Sequence, residues 1–286
     1  MNNLQHIRHA KPLNYFDIVS NTKHPRFRAI TINRKNLIDY CFACGSSGEF
    51  VFSNIINNEL AKSWGLSEDL RLGFDIREST NCKVCGNSLR SNFHAKAISK
   101  TIDPGSSCLK EAVISDNARK LRVAEINACG ALHQFLLQLP GLEYSEYMTD
   151  DSNIRSEDLN QLSYNSDSFD IVLTSDTLEH LPDWSRAAKE IRRVLKPNGV
   201  HIFTVPAILT RLTRTRAIQD GKKIAHLLSP SYHGRDPKRT ADYTVYNEFG
   251  ADFRREIDKL GFRTQLYYTN LIKFSDPNFV FVSTKV

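Results

Sequence analysis

The sequence predicts an α/β protein with a doubly wound sheet over its carboxyl-terminal part, preceded by a small, partly helical module rich in paired cysteines. Three observations predict it. From about residue 119 short apolar runs alternate with helix-like segments; four of six cysteines fall into two matching pairs before residue 90; and 286 residues, 41% apolar and 24% charged, are enough to bury a core. That composition excludes wholesale disorder. No stretch approaches the roughly 18 to 20 apolar residues needed to span a bilayer. The polar start, Met1 to Lys11, lacks the apolar run of a signal peptide, so a cytoplasmic protein is expected.

The module is expected over 1–115. Its pairs are Cys41-Phe-Ala-Cys44-Gly45 and Cys82-Lys-Val-Cys85-Gly86. Two thiolates three positions apart on a tight turn can face one ion, and the following Gly permits that turn. Four thiolates make the closed tetrahedral set of structural zinc, which selects Cys41, Cys44, Cys82 and Cys85 as ligands. Between the pairs, Ser53 to Trp64 has the spacing of a helix, with Gly65 as its stop. Cys108 and Cys129 are unpaired and are read as packing residues.

The second part, 116–286, is justified element by element. Leu121–Ile126 is a buried strand, Ala131–Leu139 a helix, and Leu142–Tyr147 a second strand ending in Glu146. A short third strand follows at Asn153–Arg155 and a fourth at Phe169–Ser175. Asp183–Lys196 is a helix with Ala187, Ala188, Ile191 and Val194 on one stripe, capped by Asp183 and stopped by Pro197-Asn198-Gly199. Val200–Val205 is a fifth strand, Glu248–Leu260 a helix, and Phe262–Tyr268 and Asn278–Thr284 the last strands. Strands separated by helices pair in parallel, and ligands bind beyond their carboxyl ends.

The run from Leu162 through Phe169-Asp-Ile-Val-Leu-Thr-Ser-Asp-Thr-Leu-Glu-His-Leu-Pro-Asp183, continued by Glu190-Ile-Arg-Arg-Val-Leu-Lys-Pro-Asn-Gly-Val-His-Ile-Phe-Thr-Val-Pro206, resembles class I S-adenosylmethionine-dependent methyltransferases of the type 11-like kind. The resemblance implies a seven-stranded, Rossmann-like sheet, and the cysteine pairs resemble zinc-binding extensions that some of these enzymes carry. It also implies S-adenosylmethionine as cofactor, with Glu125, Asn127 and Gly130 around its methionine part, Glu146 on the ribose, Asp158 and Leu159 on the adenine, and Ser175 near the methyl. In the family's acid-x-Gly-x-Gly-x-Gly loop this chain has Glu125-Ile-Asn-Ala-Cys-Gly-Ala131. The loop then either takes another path around the cofactor or holds it weakly.

Asp176, Glu179 and His180 follow the fourth strand. His180 is the best general-base candidate because its ordinary pKa lies near neutrality, with Asp176 beside it. His201, inside a strand, is read as structural. A long insertion at about 207–246 would cover the substrate; it holds eight basic side chains against Asp220, Asp236 and Asp242, and its His233 is a second base candidate. That charge points to an anionic small-molecule or glycan acceptor, methylated on oxygen. The Ser-Asp-Thr-Leu after the fourth strand is unlike the Asn/Asp-Pro-Pro-Tyr motif of base-amine methylation. Two other readings stand: an RNA methyltransferase using the module and Phe42, Phe50, Phe52 and Phe93 to hold RNA, and a non-catalytic binding protein on the same fold.

The charge is unevenly spread. Residues 1–100 carry 14 basic against 8 acidic side chains, 101–200 carry 10 against 16, and 201–286 carry 14 against 8.

Overall fold

The computed structural model describes residues 40–47, 50–52, 58–221, 223–232, 243–268 and 279–286. In chain order these form β1 (Phe50–Phe52), α1 (Asn58–Ser63), α2 (Glu68–Ser79), β2 (Thr80–Cys82), α3 (Leu89–Ile102) and α4 (Leu109–Ala112). They continue through β3 (Val123–Ile126), α5 (His133–Leu136), β4 (Leu142–Glu146), β5 (Arg155–Ser156), β6 (Phe169–Ser175), α6 (Trp184–Val194) and β7 (Leu195–Thr204). The remainder is β8 (Ala207–Ile208), β9 (Arg214–Thr215), β10 (Ala217–Asp220), β11 (Lys223–His226), β12 (Asn247–Gly250), α7 (Phe253–Asp258), β13 (Phe262–Tyr268) and β14 (Phe279–Lys285).

The central sheet has seven strands in the order β13-β14-β7-β6-β3-β4-β5. Strands β5 to β7 pair in parallel through β4, β3 and β6, whereas β14 runs antiparallel to both neighbours. The chain moves outward from β3 to β4 and β5, then returns to β6 and β7. Two helix-bearing connections thus diverge between β3 and β6, which opens a crevice at their carboxyl ends. All four residues of β3 are buried, as a strand covered on both faces requires.

Most expected strands stand within a residue or two of the expected bounds, and α6 has its Asp183 cap, whose side chain accepts from Arg186 N. Three elements differ. The helix after β3 is a short 3-10 turn, Gly130–Leu132, followed by α5. Beyond it Gln138 and Leu139 donate to carbonyls three residues back, so the helix tightens and stops before Pro140. Strand β7 begins at Leu195, which pairs with Phe169; the next pair is Val200 with Ile171, so residues 196–199 bulge out, with Asn198 left-handed at φ 62°. The helix expected from Glu248 begins only at Phe253. Asn247–Gly250 is instead strand β12, because the backbone passes so close to Arg211 that a Cβ on Gly250 would lie 2.3 Å from its carbonyl oxygen.

Helices α2 and α3 are started by the serine caps Ser67 and Ser88, which accept from Leu70 N and Ser91 N. Helix α3 lies directly on the sheet: His94 Nε2 sits 3.2 Å from the Ile202 carbonyl oxygen, and Leu89, Phe93 and Ile98 are buried. One apolar cluster runs from Cys41 and Cys82 through α3 to Ile171, Ile202 and Val282. The cysteine turns, α3 and α4 therefore share a core with the sheet, while Ala61, Trp64 and Phe74 pack with Ile208 and Val245 of the insertion. The insertion after β7 contributes a three-stranded sheet, β8-β12-β9, and a hairpin, β10–β11. It is tied to the amino-terminal part by Trp64 Nε1, which donates to Ser231 Oγ at 2.8 Å.

Candidate functional site

The cysteine turns close as the spacing requires. Gly45 and Gly86 are left-handed, at φ 80° and 74°, and donate to the carbonyls of Cys41 and Cys82 at 2.8 Å. The two turns face each other, with Cys41 Sγ 3.6 Å from Cys85 Sγ and Cys44 Sγ 3.9 Å from Cys82 Sγ. All four sulfurs lie within 4.8 Å of one another. A tetrahedral Zn–S₄ centre with bonds of about 2.3 Å needs sulfurs about 3.8 Å apart, so the set fits that ion.

At the end of β3, Glu125 is fully buried. One carboxylate oxygen accepts the Cys129 N–H at 2.8 Å and the other meets His133 Nδ1 at 2.7 Å. Burial pushes the carboxyl up, and these two partners pull it back. The acid thereby clamps the loop that follows it. Two residues of that loop have glycine-like backbone: Gly130 at φ 60° and Asn127 at φ 57°. Asn127 Oδ1 accepts from Tyr147 N, tying the loop to the end of β4. Cys129 is turned into the core and is completely buried, so its side chain takes no room from the crevice.

Glu146 stands at the end of β4, its Oε1 accepting from Ala128 N at 3.1 Å and from the Tyr144 hydroxyl. Glu157 N donates to the Glu146 carbonyl at 3.0 Å, which brings Asp158 and Leu159 to the same rim. Asp158 is exposed and its Oδ1 accepts from Asn160 N, while Leu159 is buried. Tyr147 and Met148, which follow Glu146, are 43% and 57% exposed, and neither stood among the expected cofactor contacts. Two large apolar side chains directly after a strand-end acid were the available signal.

Beyond β6 the structure gathers a charged cluster. Asp176 is left-handed at φ 45°, and its carboxylate lies 3.1 Å from Arg90 Nε and 3.4 Å from Arg77 NH2. Arg90 NH1 also donates to Ser175 Oγ at 2.5 Å. Both arginines come from α2 and α3, and no motif in the sequence singles them out. Glu179 is fully buried, and neither of its oxygens has a hydrogen-bond partner among the described residues. Burial first, then the charge of Asp176, pushes its carboxyl well above the usual range. His180 Nδ1 lies 3.1 Å from the Thr244 carbonyl oxygen, and its Nε2 is 3.8 Å from Glu179 Oε1. Burial lowers its pKa, so the ring is neutral at pH 7. His233 lies outside the described residues. His201 is buried against Thr174 Oγ1 at 2.9 Å, a structural histidine as expected.

The basic insertion is less open than its composition suggests. Arg211 NH2 and Arg214 Nε meet Glu248 Oε2 at 2.7 and 2.9 Å, and Arg216 pairs with Oε1 of the same buried carboxylate. Lys222, Arg235, Lys238 and Arg239 lie outside the described residues.

Among curated proteins, the chain is similar to the glycine/sarcosine/dimethylglycine N-methyltransferase of Actinopolyspora halophila, 32% identical over 101 residues. That match covers 35% of this chain and spans only 17% of the relative's length. Among solved structures it is similar to the Burkholderia thailandensis 1,6-didemethyltoxoflavin-N1-methyltransferase with bound 1,6-didemethyltoxoflavin and S-adenosylhomocysteine, at 14% identity and a TM-score of 0.37, covering 69% of this chain and 87% of that one. The CurJ carbon methyltransferase gives 12% identity and a TM-score of 0.41, covering 69% and 55%. Residues 125–203, from the buried acid of β3 to the penultimate residue of β7, match the family model described as a methyltransferase domain, within an α/β fold whose seven-stranded central sheet is mostly parallel.

Proposed function

We propose that the chain transfers a methyl group from S-adenosylmethionine to a small-molecule acceptor. The observation that carries this reading is the Glu125 clamp on a loop that keeps glycine-like backbone at Asn127 and Gly130, at the open end of a sheet whose β3–β7 segment matches the methyltransferase domain. When bound, the cofactor supplies a methyl carbon activated by a sulfonium. Glu146 would accept from the ribose hydroxyls and Asp158 from the adenine amino group, with Leu159 lining the adenine side. Ser175 and Asp176 would line the methyl end. His180, neutral through burial, would take a proton from the acceptor, an effect worth about 10²- to 10⁴-fold in rate. The sulfur geometry supports a structural Zn²⁺ on Cys41, Cys44, Cys82 and Cys85.

For the acceptor, the proposal is a small molecule with a nucleophilic oxygen or nitrogen. The nitrogen acceptor of the halophile relative supports small size. An anionic sugar or glycan hydroxyl is the finer form of the proposal, and the convergence of three insertion arginines on Glu248 weakens its charge argument. The RNA reading gains no support: Phe93 is buried, Phe42 and Phe50 pack against the core, and the Phe52 side chain lies outside the described residues. Isothermal calorimetry with S-adenosylhomocysteine tests the central proposal. Binding at micromolar levels is expected, and no heat at millimolar ligand overturns it.

A further inference from the structure

Between Arg77 and Arg90 the chain makes a single excursion through β2, the Cys82–Cys85 turn and the cap Ser88. Both ends of that excursion aim at one carboxylate. Arg77 stands five residues before Cys82 and Arg90 five after Cys85. Their guanidiniums hold the two oxygens of Asp176 separately, NH2 of Arg77 on Oδ1 and Nε of Arg90 on Oδ2. Glu78 braces the pair from α2, with its Oε2 3.2 Å from Arg90 Nε and its Oε1 on Arg77. Arg90 also reaches Ser175 Oγ and, at 3.4 Å, Thr204 Oγ1, so it bridges the ends of β6 and β7. Asp176 itself needs such support. It is a non-glycine residue with positive φ, a conformation that costs about 1 kcal/mol or more and persists only where its surroundings hold it.

We infer that the four-cysteine centre is a positioning device for the cofactor crevice: closing the turn between α2 and α3 sets Arg77 and Arg90, and through them Asp176 and Ser175. A staple serving a separate module would leave the end of β6 untouched. Here the second cysteine turn is the short link between the two helices that hold that end. The inference rests on the reading of the crevice as an S-adenosylmethionine site.

The test compares S-adenosylhomocysteine binding by calorimetry in the wild type and in Arg90→Ala, each zinc-loaded and stripped with a chelator. Stripping should weaken binding at least about tenfold in the wild type and by less than about twofold further in Arg90→Ala, since coupled sites are not additive. The melting temperature should fall equally in both, because the stapling role is shared. Equal affinity losses in the two backgrounds, or none in the wild type, overturn the inference. If the stripped protein unfolds, the same coupling is read in reverse on the folded holoprotein. Saturating S-adenosylhomocysteine should then raise zinc affinity against a competing chelator by the same factor in the wild type and not in Arg90→Ala, and equal zinc affinities refute it. Failure of the zinc-loaded wild type to bind S-adenosylhomocysteine is a separate outcome, and it overturns the functional proposal with the inference.

Discussion

A single buried acid offers the sharpest check on the electrostatics of the site. Glu179 is completely enclosed, its oxygens meet no hydrogen-bond donor among the described residues, and its nearest basic nitrogen, His180 Nε2 at 3.8 Å, belongs to a neutral ring. The carboxyl is therefore held protonated well above its ordinary 4.5. A group raised on folding adds stability that is complete below the unfolded value and is lost as pH rises through the folded one. Glu179→Gln is close in size and has no proton to lose. The stability of the variant relative to the wild type should therefore climb from about pH 5 upward by about 1.4 kcal/mol per pH unit, and level off at the folded pKa of Glu179. For a chain of this size that slope is about 3 to 6 °C of melting temperature per unit. Paired thermal melts between pH 5 and 9 read it directly. Two melting curves that stay parallel across that range would show a carboxylate that ionises normally, and the account of Glu179 as buried without a hydrogen-bond partner among the described residues would fail.

Three further outcomes are expected. Asn127→Gly should keep S-adenosylhomocysteine affinity within about twofold, while Asn127→Val should lose at least about tenfold, because both variants lose the acceptor for Tyr147 N but only the β-branched residue resists φ 57°; equal affinities by calorimetry would refute the loop argument. Glu248→Gln leaves three guanidiniums around a neutral amide, and urea titration should show a loss of about 3 to 5 kcal/mol. His94 and His201 are lowered by burial to about 4 and about 3, so the chain should be indifferent to them above pH 6.5 and lose up to about 2.7 kcal/mol per unit as pH falls below it. His201→Phe should roughly halve that acid slope in stability measurements.

The parallel sheet was legible because its strands are short, doubly buried apolar runs whose period and length differ from those of the helices between them. Cys41, Cys44, Cys82 and Cys85 were legible for another reason: a metal centre constrains residue type and spacing together, and CxxCG repeats carry both. Helices α2 and α3 were not read, although they carry the caps Ser67 and Ser88. Their faces are covered partly by polar and small residues: in α3 Ser91, Asn92, His94, Ala95 and Ser99 are all buried, Asn92 against the first cysteine turn, and a stripe of that kind has little apolar contrast. Strand β12 was misread as helix because Phe249, Phe253 and Ile257 recur at helical spacing. The spacing is genuine from Phe253 onward, but at Glu248 tertiary contacts with three arginines decide the backbone.

The alternation of basic, acidic and basic thirds invited an electrostatic account of substrate choice, and the geometry gives much of it a different cause. Arg77 and Arg90, from the basic first third, are spent on Asp176 of the acidic middle third. Arg192, from the middle third, in turn binds the carbonyls of Gly261 and Val286 in the last, and Lys285 pairs with Asp167. Within the last third, Arg211, Arg214 and Arg216 converge on Glu248. A charge excess counted along the chain measures a field only if the charges remain apart in space. Where opposite charges from different segments meet at 2.6 to 3.4 Å in partly buried pairs, the excess instead stitches the segments together, and long-range steering of an anion is correspondingly weaker. For this chain the arginines say more about how the amino-terminal module is locked to the crevice than about the charge of the acceptor.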